Sequence, residues 1–190
     1  MITNKVAPEF LVDDLDNREL LENVHPVSWQ NPAPAARYDF VVLGAGPAGL
    51  LAAQKAVTLG AKVALIERDL LGGECLNTGC IPSKTIISTA RLYAEMRDAE
   101  NFGARIPGDI RVDFPFLMER MRRVRARIGR LGFSARQLAS TGIDVYFGEG
   151  RFVQPNTVNV GETKVHFEKA LVATGMILFS SISTQRSSGS

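Results

Sequence analysis

Two cysteines, Cys75 and Cys80, are the whole thiol content of this 190-residue chain, and they stand five positions apart. They are too few and too close to staple a small secreted fold, so they point towards chemistry. In a regular helix their Cα atoms would lie about 8.6 Å apart. A disulfide needs roughly 4.4–6.8 Å, so if the two bond, the segment cannot be ideal helix. Gly79 and Pro82 offer a local distortion. Two buried free cysteines without a redox role are the plain alternative. A metal site would need a second pair or a nearby histidine, and the sequence supplies neither.

A second constellation lies upstream, where Gly44-Ala45-Gly46-Pro47-Ala48-Gly49 matches the dinucleotide fingerprint. Gly44 permits the tight turn out of a strand, Gly46 lets a pyrophosphate approach the backbone, and Gly49 allows close helix packing. The helix that starts here aims free N–H groups and its positive end at phosphate. Glu67 lies 18 residues beyond Gly49, where a carboxylate can accept hydrogen bonds from ribose hydroxyls. Its charge argues against a 2′-phosphate, an argument weakened slightly by neighbouring Arg68. A glycine-rich turn that binds nothing is the alternative, and the motif alone does not separate FAD from NAD.

The elements that must hold these residues can be read outwards from them. Tyr38–Leu43 is a short apolar strand, Leu50–Leu59 an alanine-rich helix closed by Gly60, and Lys62–Ile66 a second buried strand. That βαβ unit makes the strands parallel and the fold α/β. Ser83–Ala99 is expected to be helical, as is Phe114–Ala139, with a break near Gly129 and Gly132. Ile143–Phe147 is a strand. Arg151–Val153, Thr157–Val160 and Lys164–Phe167 suggest a small antiparallel meander, and Lys169–Thr174 a last buried strand. Residues 1–37 are expected to be a flexible leader, with one short helix over Asp13–Val24 before a proline-rich stretch. The domain is expected over 38–179, with a serine-rich disordered tail over 180–190.

With Gly72-Gly73-Glu74-Cys75-Leu76-Asn77-Thr78-Gly79-Cys80-Ile81-Pro82-Ser83-Lys84 added, the order of motifs resembles the pyridine nucleotide–disulfide oxidoreductases. That class contains dihydrolipoamide dehydrogenase, glutathione reductase and mercuric reductase. The resemblance runs from Tyr38 to Gly175 and includes Gly148-Glu149-Gly150 and Ala173-Thr174-Gly175. It implies a Rossmann-like FAD-binding domain, a parallel sheet with the small meander attached, and a mercuric-reductase-like parent. By that resemblance Cys75 exchanges with substrate, Cys80 lies against the flavin, and Lys84 stabilises the reduced ring. Gly44, Gly46, Pro47, Ala48, Gly49, Glu67, Arg68, Gly73 and Glu74 would form the diphosphate and ribose side of the cofactor site. Gly148 and Gly150 would approach the adenine, and Ala173, Thr174 and Gly175 would pass close to the cofactor. Many relatives carry Thr where Glu74 stands, and a carboxylate there would repel phosphate.

The resemblance also implies a nicotinamide-binding domain for NAD(P)H and an interface domain with a His–Glu pair, and neither follows Gly175 here. The expectation is a truncated product, a frame-shifted end or a partial sequence of a homodimeric parent. The parent's substrate would be a small molecule or a metal ion. His25 and His166 are expected to be surface or structural residues. An apolar fraction of 45%, a charged fraction of 22% and a net charge of +2 are ordinary for a soluble protein and suggest no nucleic-acid partner. The arginines from Arg120 to Arg130 are expected to form a solvated helix face. Met1–Phe10 lacks a secretion signal, and Ala170–Phe179 is too short to span a bilayer. A cytoplasmic protein without a membrane is the expectation. A dihydrolipoamide dehydrogenase-like or glutathione reductase-like parent, a non-catalytic FAD-binding fragment and an unstable remnant remain alternatives.

Overall fold

The computed structural model describes residues 12–175. The expected boundary at 179 and the expected disordered tail lie outside the described residues. Six strands form one sheet in the order β3-β2-β1-β6-β5-β4. They are β1 (Tyr38–Leu43), β2 (Val63–Glu67), β3 (Ile143–Phe147), β4 (Gly150–Gln154), β5 (Thr157–Val160) and β6 (Thr163–Val172). β3, β2, β1 and β6 run parallel, whereas β5 pairs antiparallel with both β6 and β4. The α/β Rossmann-like architecture with an attached antiparallel meander is therefore present.

One strand corrects the sequence reading. The third meander strand and the last buried strand, expected separately at 164–167 and 169–174, are a single strand, β6. Its first half pairs with β5 from Thr163 to His166, and its second half pairs with β1 from Phe167 to Val172. No turn residue lies between Phe167 and Lys169, so nothing ends the strand where its partner changes.

Around the sheet lie α1 (Leu15–Val24), α2 (Pro47–Thr58), α3 (Gly73–Asn77), α4 (Cys80–Arg97), a 3₁₀ turn (Ala99–Phe102), α5 (Phe114–Gly132) and α6 (Ala135–Ser140). The expected break in the long arginine-rich helix falls at Phe133-Ser134. Gly129 stays inside α5 and has a packing role instead. A Cβ on Gly129 would meet Leu20 Cδ1 at 2.7 Å, so its absence lets α1 lie close against α5.

The leader over 1–37 is not loose where it is described. Asp14 caps α1 by accepting from the Asn17 N–H at 2.8 Å. Leu20 and Val24 are fully buried in the core shared with Leu65, Leu71, Leu76 and Ala126. Each such burial is worth about 1.5–3 kcal/mol. Beyond α1, Trp29 Nε1 donates to the Val145 carbonyl at 3.2 Å. Asn31 exchanges two hydrogen bonds with the Phe147 backbone, at 2.9 and 2.8 Å. These contacts cover the edge strand β3, whose outer N–H and C=O groups would otherwise be unpaired. Among the described residues no helix is long and apolar enough to cross a membrane.

Candidate functional site

Gly44 leaves β1 at φ +98°, a conformation that penalises any side chain, and a Cβ there would lie 2.4 Å from the Ala173 carbonyl oxygen. A Cβ on Gly49 would lie 1.9 Å from the Gly44 carbonyl oxygen, so helix and turn meet only because both residues are glycine. Gly46 differs from both. It has extended backbone, it caps α2 without a side-chain hydrogen bond, and a Cβ added to it meets nothing within 4 Å. Pro47 occupies the first turn of α2, where its missing N–H costs nothing. The opening of α2 therefore presents unpaired N–H groups and the positive helix end to open space.

That space is a cleft of about 540 Å³. Its walls contain Gly44, Gly46, Pro47, Ala48, Glu67, Arg68, Gly73, Glu74, Ala173, Thr174 and Gly175, together with Asp69, Leu70 and Asn77. A second hollow of about 420 Å³ shares Gly44, Glu67, Arg68, Thr174 and Gly175 with it and adds Gly148, Glu149 and Gly150. The structure thus brings nearly every residue of the expected cofactor set to one continuous groove. Gly49 serves packing instead, and neither Lys84 nor the two cysteines line these walls.

Glu67 sits at the junction of the two hollows. Its Oε2 accepts from the Ala45 N–H at 2.7 Å, and its Oε1 accepts from the Asp69 N–H at 2.9 Å. The carboxylate therefore fixes the glycine turn to the end of β2. A carboxylate offers about four acceptor positions, so two remain for a ligand hydroxyl.

The cysteine segment is bonded directly to this turn. The Gly72 N–H donates to the Ala45 carbonyl at 2.8 Å, and a Cβ on Gly73 would stand 2.9 Å from Gly46 Cα. Gly72 and Gly73 hold successive positive φ values, +88° and +54°, so this approach requires both glycines. Cys75 lies in α3, and Cys80 opens α4. Between them Gly79 takes φ −111° and ψ −104°, and its N–H reaches the Glu74 carbonyl at 2.7 Å. Gly79 makes the expected distortion, whereas Pro82 is accommodated in the first turn of α4.

Both cysteines are free thiols, Cys75 half-buried and Cys80 exposed. The neighbouring Cys80 side chain, followed by burial, pushes the Cys75 thiol above its ordinary pKa, and the Lys84 ammonium pulls the other way. The two thiols and the lysine are thus within mutual influence. Glu74 is exposed and belongs to the cleft wall.

Sequence reasoning gave Asn77 no role of its own. Asn77 is buried and donates from Nδ2 to the Leu71 and Gly73 carbonyls, at 3.2 and 2.8 Å. His25 stacks on Phe147 with ring centroids 4.0 Å apart, and its Nδ1 bonds the Asp69 carbonyl. Burial holds its pKa below the ordinary value. His166 is exposed and pairs with Thr157 Oγ1 at 3.0 Å. Arg125, expected on a solvated face, is 5% exposed. Its position at helical spacing from Met121 and Gly129 was the available signal. Among the described residues no group of three or more His, Cys, Asp or Glu could hold a metal ion.

The profile described as "Pyridine nucleotide-disulphide oxidoreductase" matches residues 38–183. Similar curated proteins include the dihydrolipoyl dehydrogenase of Acholeplasma laidlawii, 35% identical over 138 residues, covering 73% of this chain and 40% of that protein. The dihydrolipoyl dehydrogenase of Bacillus subtilis is 39% identical over 123 residues, covering 64% of this chain and 25% of the relative. Among solved structures, the HOCl-induced flavoprotein disulfide reductase RclA from Escherichia coli superposes with a TM-score of 0.61 at 29% identity. That match covers 76% of this chain and 30% of RclA. The chain therefore spans well under half the length of these relatives.

Proposed function

Because the chain belongs to the pyridine nucleotide-disulphide oxidoreductase family, we propose that it is the FAD-binding, thiol-bearing part of a disulfide oxidoreductase. The observation that carries this reading is the direct hydrogen bond from Gly72 to Ala45, which seats the cysteine segment on the nucleotide turn. The groove fits a dinucleotide on three counts. Gly46 leaves space where a phosphate would approach, α2 offers unpaired N–H groups there, and the groove continues past Glu67 to Gly148 and Gly150. Glu74 is a poor fit, because a carboxylate on the wall disfavours phosphate without filling the groove.

Flavin, when bound, supplies the two electrons that return the cysteine pair to thiols. The remaining chemistry belongs to the chain. The thiolate of Cys75 attacks one sulfur of a substrate disulfide, forming a mixed disulfide and releasing the other sulfur as a thiol. Cys80 then attacks the Cys75 sulfur, the second substrate thiol leaves, and a Cys75–Cys80 disulfide remains. Lys84 favours the thiolate form by its charge. NAD(P)H, a homodimeric parent and cytoplasmic residence belong to the same proposal. Mercuric ion is a second substrate reading, favoured by two adjacent soft ligands. The relatives named above are dihydrolipoyl dehydrogenases and a disulfide reductase, so a small-molecule disulfide is preferred.

The test is to purify the protein, record its flavin absorbance, and map alkylated cysteines before and after dithiothreitol. A bound flavin, with Cys75 and Cys80 protected together until reduction, is the expected result. Equal labelling of both thiols in an air-oxidised sample removes the redox reading.

A further inference from the structure

Arg125 lies in α5, away from the cleft walls, yet it is almost fully buried. Taking a guanidinium out of water costs several kcal/mol unless its donors are met, and an apolar replacement is often no worse for stability. Its partners are unusual for a buried cation, because neither is a carboxylate. Nη1 donates to the Asn77 carbonyl at 2.8 Å, Nη2 donates to Asn17 Oδ1, and Nε is without a partner. The carboxylate that acts on it through space is Asp14, which is ion-paired with Arg122.

Both partners are themselves clamped. Asn77 ends α3, two residues after Cys75 and three before Cys80, and its side chain ties back to Leu71 and Gly73. Asn17 is buried in α1, with its Nδ2 on the Val12 carbonyl at 2.6 Å. A second bond joins the same two regions, from the Leu71 N–H to the Val24 carbonyl at 3.1 Å. The fork of Arg125 thus fixes the point where α3 stops and the chain swings through Gly79 into α4. That swing is what separates this segment from a regular helix, in which the two cysteines would be held too far apart to bond.

We propose that Arg125 is a positioning residue for the Cys75/Cys80 pair, holding the Asn77 carbonyl so that the thiols stay within bonding reach, with α1 as its anchor. This rests on the redox reading above. It deepens that reading by making residues 15–24 part of the redox unit. Loss of the fork lowers the effective concentration of one thiol at the other, and so disfavours the internal disulfide.

The test is the equilibrium between protein dithiol plus oxidised glutathione and protein disulfide plus two reduced glutathione, measured by quenched alkylation on the folded protein. In Arg125→Met the constant falls roughly ten-fold or more, the range of one lost charge-assisted hydrogen bond. Arg125→Lys, which restores the charge and one donor, recovers part of the loss, and Asn17→Ala shifts the constant the same way. A purely structural role lowers the melting temperature and leaves the constant unchanged. A constant within two-fold of the unmodified protein in folded Arg125→Met overturns the proposal. If that variant does not fold, the same result in Asn17→Ala does so. If the unmodified protein forms no Cys75–Cys80 disulfide at any glutathione ratio, the redox reading itself fails, which is a separate outcome.

Discussion

Gly46→Ala separates binding from folding, because Gly46 is the one glycine of the turn whose side-chain space is open. Its φ of −70° and ψ of −179° suit any residue, including one that precedes proline. A methyl added there meets no protein atom within 4 Å, whereas at Gly44 and Gly49 it would collide with backbone at 2.4 and 1.9 Å. The free protein is therefore unharmed, and it gains about 0.4–1 kcal/mol from the lower entropy of its unfolded chain. The methyl does occupy the approach to the unpaired N–H groups of α2. Displacing one phosphate oxygen from such a donor costs about 1.5–3 kcal/mol, or roughly 10–150-fold in affinity. The assay is a flavin-fluorescence titration of apoprotein with FAD, run beside thermal melts of ligand-free samples. Gly44→Ala serves as the contrast, since it should lose the fold as well. A folded Gly46→Ala protein that holds FAD as tightly as the parent would refute the placement of the diphosphate on this turn.

Four further outcomes follow from the same geometry. Glu74→Gln removes a carboxylate from the cleft wall and should tighten FAD binding several-fold at low salt, with the gain shrinking as ionic strength rises in the same titration. Cys80→Ala removes the largest influence holding the Cys75 thiol above its ordinary pKa, so iodoacetamide should alkylate Cys75 faster at neutral pH than in the reduced parent. Gly129→Ala drives a methyl to 2.7 Å from buried Leu20. Overpacking of about 1–3 kcal/mol then outweighs a helix gain of about 1 kcal/mol, and urea unfolding should show the loss. His25 is held below its ordinary 6.5 by burial, so the folded state resists its protonation. Stability should fall as the pH drops below about 6.5, and His25→Phe should flatten that slope in urea midpoints measured from pH 7.5 to 5.

The sequence made the βαβ unit legible because its signals are local. β1 and β3 run as expected from apolar runs bounded by turn residues, and the glycine turn had to follow β1. The cofactor groove was legible for the same reason, through glycines whose missing side chains leave recognisable spacing. The N-terminal segment was not. In α1, Leu15 is 80% exposed while Leu20 and Val24 are buried, so the apolar face is too narrow to announce a docked helix. What docks it is a tertiary fit, made of the gap at Gly129 and the fork of Arg125, neither of which is local to α1. Arg125 shows the same limit from the other side. Among arginines at spacings of two and three, only the partner elements decide which one is buried, and α1 was taken for a loose leader.

The location of the groove follows from the strand order. From β1 the chain moves by α2 to β2 on one side, while β6 occupies the other side. At the carboxyl ends of these strands a crevice opens, walled by Gly44 and by Ala173, Thr174 and Gly175. Only a residue without a side chain can stand at Gly44, because Ala173 closes on it from β6. The cysteine segment enters the same crevice from β2 through Gly72 and Gly73, and it is fastened to the turn by Gly72 and to α1 by Leu71. Thiols, glycine turn and N-terminal helix are thus held by one hydrogen-bonded corner. A change that loosens α1 should reach the cysteines without moving the glycine turn, because Glu67 anchors that turn to β2 independently.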